Sequence, residues 1–323
     1  MRVVGSASGI KIHAPEDAYF SYFNSPYIGH DIGSAIDIYP RHQEWGGIVE
    51  APVSGKIVKI KKMKMGQPKQ FPTHEYDYGI GIFPEESNID IVRIMHCEPT
   101  VIEGETVNLG DSIGNTIRSR YFNYWTGPHY HVEILPLDSF PRSSKSYPLE
   151  IKYQFETKKP DNTQMIVEFL VKSVTEDHII GYAENLGYAA IGDLVGLSAA
   201  NEGREIIGII DGGLSHYKLG GVIGTTNLEQ GEHVKLQNHP VGTVRDKKAG
   251  ATSFRRGPSI TSFLDNIELR GLSCFIYTKH YTRKKIPQQI LIPQKHGQFK
   301  GFFNEGDLCE FRITSSSNTV MAD

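Results

Sequence analysis

A chain of 323 residues is long for one domain, so two domains are the natural division. Its 34 basic and 37 acidic residues nearly cancel, leaving a formal charge of −3 and no global charge signature for nucleic acid or a membrane surface. Hydrophobic residues make up 39%, and 33 Gly, 17 Pro, 16 Tyr and 15 Phe accompany them, which reads as a β-rich protein able to bury a core.

No apolar run approaches the ~18–20 residues of a transmembrane helix. The opening Met1-Arg2-Val3-Val4-Gly5-Ser6-Ala7-Ser8-Gly9-Ile10 lacks the ~7–15-residue apolar core of a signal peptide. Cys97, Cys274 and Cys309 are too few for a disulfide framework. These features predict a reduced, cytoplasmic protein, or an extracytoplasmic one if a leader has been removed.

Residues 1–28 hold short apolar pieces broken by Pro15, Asn24 and Pro26, with an aromatic run Tyr19–Phe23 that predicts a cover over one end of a sheet. Residues 29–60 read as turn, short strand, turn, strand, with Pro52 and Gly55 bracketing a tight turn. From Lys61 to Tyr78 the chain is polar and predicts a solvated loop, in which His74, Glu75 and Asp77 are weak candidates for metal ligands. Strands are expected over 79–83 and 89–96, then a pair of short ones over 104–114. A Pro-, Ser- and Lys-rich stretch ends near residues 155–162, which sets domains of 1–158 and 159–323. The second half reads as further strands, with a short helix expected within 182–195 and an exposed basic run at Lys279–Lys285. One echo links Gly104-Glu105-x-Val107-x-Leu109 to Gly231-Glu232-x-Val234-x-Leu236, which predicts shared turn chemistry.

The most informative stretch is Tyr124-Trp125-Thr126-Gly127-Pro128-His129-Tyr130-His131-Val132-Glu133-Ile134. Strand periodicity puts His129, His131 and Glu133 on one face. Two imidazoles so spaced can share a metal, or one can bind it while the other handles protons; a half-buried strand with a polar face fits the same pattern. Upstream stand Gly29-His30-Asp31 and Asp37, the Ala51-Pro52-Val53-Ser54-Gly55 turn, and His96 in Arg93-Ile94-Met95-His96-Cys97.

In this order the segments resemble the lysostaphin-type (LytM-like) zinc metallopeptidases over residues 25–136. That family runs through a His…Asp pair, an Ala-Pro-Val-Asp-Gly-like turn, a Tyr-x-His strand and a Thr-Gly-Pro-His-Leu-His-Phe-Glu-Ile strand. Two departures stand out: six residues rather than three separate His30 from Asp37, and Ile94 replaces the tyrosine of Tyr-x-His. The resemblance implies an all-β, mainly antiparallel chain: a LytM-like β-sandwich or flattened barrel, followed by a β-rich accessory domain. It implies one Zn2+ per chain on His30, Asp37 and His131, with His129 and His96 as the catalytic pair and Glu133 orienting an imidazole. The implied activity is hydrolysis of a peptide substrate by metal-activated water. A catalytically inactive metal-binding relative serving as a binding or regulatory module is the alternative, and a lipoyl- or phosphotransfer-like β-sandwich a weaker one. The C-terminal domain is a candidate for contacting a protein partner. The other histidines (13, 42, 178, 216, 233, 239, 280 and 296) have no partners at ligand spacing.

Overall fold

The computed structural model describes residues 1–41, 44–156, 166–224, 228–248, 250–256 and 260–315; His42 and the 157–165 part of the expected linker lie outside them. The protein is all-β and almost wholly antiparallel, and it divides into two compact units, Met1–Tyr22 with Tyr27–Lys152, and Phe23–Pro26 with Tyr153–Asp323. Among the described residues no helix is long and apolar enough to cross a membrane. Cys97, Cys274 and Cys309 are buried and unbridged.

The first unit holds β1 (Arg2–Ala7), β2 (Ile10–Ala14), β3 (Tyr19–Ser21), β4 (Ala35–Tyr39), β5 (Ile48–Glu50) and β6 (Gly55–Lys64). After them come β7 (Tyr76–Pro84), β8 (Asp90–Met95), β9 (Cys97–Pro99), β10 (Thr106–Val107), β11 (Ser112–Thr116) and β12 (Tyr130–Pro136). Seven of these form one sheet in the order β10-β6-β7-β8-β12-β4-β3, and β5-β11-β9 form a second. Tyr130, Val132 and Ile134 on one face of β12 are fully buried, as alternation requires, while His131 and Glu133 on the other face are buried among polar groups. The aromatic run Tyr19–Phe23 supplies the edge strand β3. The expected loop from Lys61 to Tyr78 is shorter, because β6 runs on to Lys64 and β7 starts at Tyr76.

The second unit contains β13 (Ile166–Val174), β14 (Ile179–Ala183), β15 (Tyr188–Ile191), β16 (Leu194–Ala200), β17 (Ile206–Leu214) and β18 (Leu219–Ile223). It continues with β19 (His233–Leu236), β20 (His239–Lys248), β21 (Ala251–Arg256), β22 (Ile260–Leu264) and β23 (Ile267–Cys274). The small hairpin β24 (Thr282–Arg283) and β25 (Ile286–Pro287) precedes β26 (Gln289–Pro293) and β27 (Leu308–Ser315).

Strand pairing closes two six-stranded rings. One is β16-β17-β18-β21-β20-β19 and back to β16; the other is β22-β23-β26-β14-β13-β27 and back to β22. Read from β16 and from β22 respectively, strand for strand, the two rings have the same connectivity: first to second, second to third, third to sixth, sixth to fifth, fifth to fourth, and fourth to first. The outer barrel is therefore a circular permutation of the inner one, which interrupts it between β14 and β22. A glycine–acid turn recurs at matching places in the two rings. Gly231-Glu232 and Gly306-Asp307 precede the fourth strand of each ring, β19 and β27. In each the glycine has a φ of +93°, and the acid accepts an N–H from three residues back: Glu229 to Glu232 and Asn304 to Asp307, both 2.7 Å. Gly104-Glu105 repeats the device with Ile102, at 3.0 Å.

The helix expected within 182–195 is instead a β-hairpin, β15–β16, after β14. Asn185, Gly187 and Gly192 adopt positive φ there, which breaks a helix and makes tight turns. The basic run at Lys279–Lys285 is exposed apart from buried Tyr281 and half-buried Thr282. In the core of the second unit Phe311 and Phe169 pack with ring centroids 6.2 Å apart. Phe311→Ala is expected to cost about 3–5 kcal/mol, read as a lowered urea midpoint at an unchanged slope.

Candidate active site

The sheet order places the site. Strand β12 lies between β8 and β4, and His131 is in register with Met95 on one side and Asp37 on the other. Directly opposed antiparallel residues have their Cβ atoms about 4.5–5.5 Å apart, so Asp37 and His131 meet. His30 arrives from the single helical turn Ile28–Asp31 before β4. All three are buried.

Their ring and carboxylate atoms form a tight triangle. Asp37 Oδ1 is 2.8 Å from His131 Nδ1 and 3.2 Å from His30 Nε2, and the two nitrogens are 3.1 Å apart. The outer nitrogens orient the rings. His30 Nδ1 lies 2.8 Å from the Tyr22 carbonyl, which can only accept, so Nδ1 carries the proton and Nε2 keeps its lone pair. His131 turns Nε2 toward the Glu133 carboxylate, 3.0 Å from Oε1, so that Nδ1 faces Asp37 and His30. Two ring nitrogens and a carboxylate oxygen thus converge in a buried pocket, an arrangement that requires a cation or protons among them. Two nitrogens and a carboxylate oxygen suit zinc, and a tetrahedron with bonds of ~2.0–2.1 Å has edges of about 3.3 Å. The donor set and its spacing fit that ion.

Charges follow the same geometry. Burial alone would raise the Asp37 carboxyl, but the imidazoles of His30 and His129 and the bond from His131 hold it well below the usual range. Burial would lower His131, yet the Glu133 and Asp37 carboxylates outweigh it and push it up to about 9. Glu133, fully buried, is likewise held down, to about 2, by His131 and Arg93 against its own desolvation.

His129 points into the same pocket. Its Nδ1 lies 2.9 Å from the Gly127 carbonyl, so Nε2 keeps a lone pair, 3.7 Å from Asp37 Oδ2. Burial is the main cause that lowers its pKa to about 4, which leaves the ring neutral. His96 stands opposite, its ring centroid 5.4 Å from that of His129. Contrary to the sequence reading it is not within a strand: it sits between β8 and β9 with a φ of +66°. Its Nδ1 donates to Asp77 Oδ2 at 2.7 Å, and the same oxygen accepts from Ser119 Oγ at 2.8 Å. Tyr121 stacks on its ring and Phe122 meets it edge-on.

Five side chains named from the sequence therefore meet in one pocket, with Glu133 behind His131. Glu133 is fully buried rather than on an open polar face. His74 and Glu75 are not in the cluster of converging ligand atoms, and Asp77 supports His96 rather than joining the triangle. Sequence reasoning missed Asp77 as an orienting carboxylate, together with Arg93 and Ser119. The one signal for Arg93 was a lone charge within the apolar run Ile91–Met95.

Residues 11–151 match the family model described as Domain of unknown function (DUF8155) N-terminal domain, and residues 159–293 match the C-terminal domain of the same family. No curated protein matches the chain significantly. Among solved structures, the catalytic domain of the antimicrobial peptidase lysostaphin from Staphylococcus simulans is similar over 41% of this chain and 86% of its own, at 22% identity and a TM-score of 0.28. Lysostaphin from the same organism is similar over 76% of this chain and 90% of its own, at 16% identity and a TM-score of 0.25. At scores this low the alignments are a likeness and nothing more.

Gly29 is small for a reason: a Cβ there would lie 2.3 Å from Glu133 Oε1 and 3.0 Å from Ala35 Cβ. Gly29→Ala is expected to destabilise the protein by about 1–3 kcal/mol, measured by urea unfolding.

Proposed function

Taking the chain as a member of the DUF8155 family, matched along both of its domains, we propose that it is a zinc-dependent endopeptidase that hydrolyses a peptide bond. The observation that carries the reading is the convergence of His30 Nε2, Asp37 Oδ1 and His131 Nδ1 within 3.2 Å of one another, beside two further imidazoles. A groove used only for binding does not need that full set.

His30, Asp37 and His131 would hold the ion. When bound, zinc supplies Lewis-acid polarisation and lowers the pKa of a neighbouring water toward ~7. His129, neutral and with its Nε2 lone pair turned into the pocket, takes the proton from the attacking water. The water oxygen bonds to the scissile carbonyl carbon, and charge develops on the carbonyl oxygen. His96, in its form protonated on both nitrogens, would donate through Nε2 to that oxygen, and the proton taken by His129 would pass to the amine as the C–N bond breaks. Asp77 keeps His96 Nδ1 protonated and its Nε2 turned to the pocket, with Ser119 holding Asp77 in turn. Tyr121 and Phe122 pack against the His96 ring and restrict its rotation.

The test is cleavage of a peptide library, including glycine-rich and murein-type peptides, by the zinc-loaded protein, with products read by mass spectrometry. His129→Ala and His96→Ala are expected to lower turnover by about 10²–10⁴-fold while zinc content is unchanged. Asp77→Asn, which loses the charged partner of His96, is expected to fall between them and the unaltered protein. Cleavage at the unaltered rate by His129→Ala, or no cleavage of any library member by the unaltered protein, overturns the assignment.

A further inference from the structure

Behind the triangle lies a second layer of charge that the proposed reaction does not use. Arg93 and Glu133 are register partners across β8 and β12, so their side chains leave the sheet together on one face. Arg93 is 3% exposed and Glu133 0%. The Arg93 guanidinium reaches one oxygen of Glu133 through Nη2, donates to the Phe140 carbonyl through Nη1, and contacts Ser143 Oγ at 2.6 Å. The second oxygen of Glu133 is the one 3.0 Å from His131 Nε2. Gly29 leaves the space in which that carboxylate sits.

Burying such a pair is costly, and apolar residues of similar volume commonly give a fold of equal or greater stability. Stability alone therefore gives β8, whose other residues from Ile91 to Met95 are apolar, no reason to carry an arginine. The geometry does supply one. We propose that Arg93 is a positioning residue for His131: it clamps Glu133 so that the free carboxylate oxygen holds the imidazole with Nδ1 aimed at Asp37 and His30. This inference rests on His131 being a metal ligand, as argued above. Its chemical content is an arginine–carboxylate–imidazole chain that ends at the ion, in which the outer members tune affinity without touching metal or substrate.

Phe140 and Ser143 lie on the segment after β12, so the rival role for Arg93 is to pin that segment. Zinc affinity, measured by competition with a chromogenic chelator, separates the two roles. Arg93→Gln and Glu133→Gln are each expected to weaken zinc binding about 10–100-fold, whereas Ser143→Ala, which removes only a segment contact, stays within about twofold. Because Arg93→Gln leaves Glu133 buried without its partner and can unfold the chain, the decisive comparison is a double-mutant cycle. Once Glu133 is glutamine, Arg93 has no carboxylate to clamp, so Arg93→Gln/Glu133→Gln is expected to match Glu133→Gln alone within about twofold. A further tenfold loss in the double variant, or a folded Arg93→Gln with unaltered zinc affinity, overturns the proposal. Failure of the unaltered protein to bind zinc at all would instead remove the ligand assignment.

Discussion

Two imidazole nitrogens and a carboxylate oxygen turned toward one another in a buried pocket are a costly arrangement without a cation or protons among them. Strand register and a layer of neighbouring groups hold that arrangement in place. Asp37 and His131 are fixed by cross-strand register, and His30 is fixed by one helical turn whose residue 29 must be glycine. Each imidazole is then oriented from behind: His30 by the Tyr22 carbonyl, His131 by Glu133, His129 by the Gly127 carbonyl, and His96 by Asp77. No ring is free to turn its lone pair elsewhere. Preorganisation of this kind lets a site bind an ion without first paying to order its ligands.

Strand alternation accounts for most of this but not all. His129 and His131 share a face because they are two residues apart on or next to β12. His96 reaches the same pocket by a different device, a left-handed residue between two strands, whose N–H is bonded to Tyr78 O and whose carbonyl accepts from Ile117 N. Non-glycine residues in that region are uncommon and cluster where geometry has been over-determined by the surroundings.

Much of the site was legible in the sequence because its chemistry lies in short segments of fixed spacing. The Thr126–Ile134 stretch specifies a strand, a face and two imidazoles at once. What was not legible depends on pairing between distant segments. Asp77 reads as part of a polar loop, and only the extension of β7 back to Tyr76 brings it under His96. Arg93 looks like any charged residue until β8 and β12 are set in register. The β-rich character of the second half was evident from its composition. Its two barrels were not, because closure depends on pairs such as β13 with β27, far apart in the chain. Local glycine and asparagine turns also defeated the helix expected near residue 190.

The account stands on the identity of the atoms around the ion. X-ray absorption spectroscopy on zinc-loaded protein measures them directly. Two imidazole nitrogens at ~2.0–2.1 Å and one carboxylate oxygen at ~2.0–2.2 Å, with one further light atom, are expected. A shell containing sulfur at ~2.3 Å, or one with a single imidazole, would contradict it.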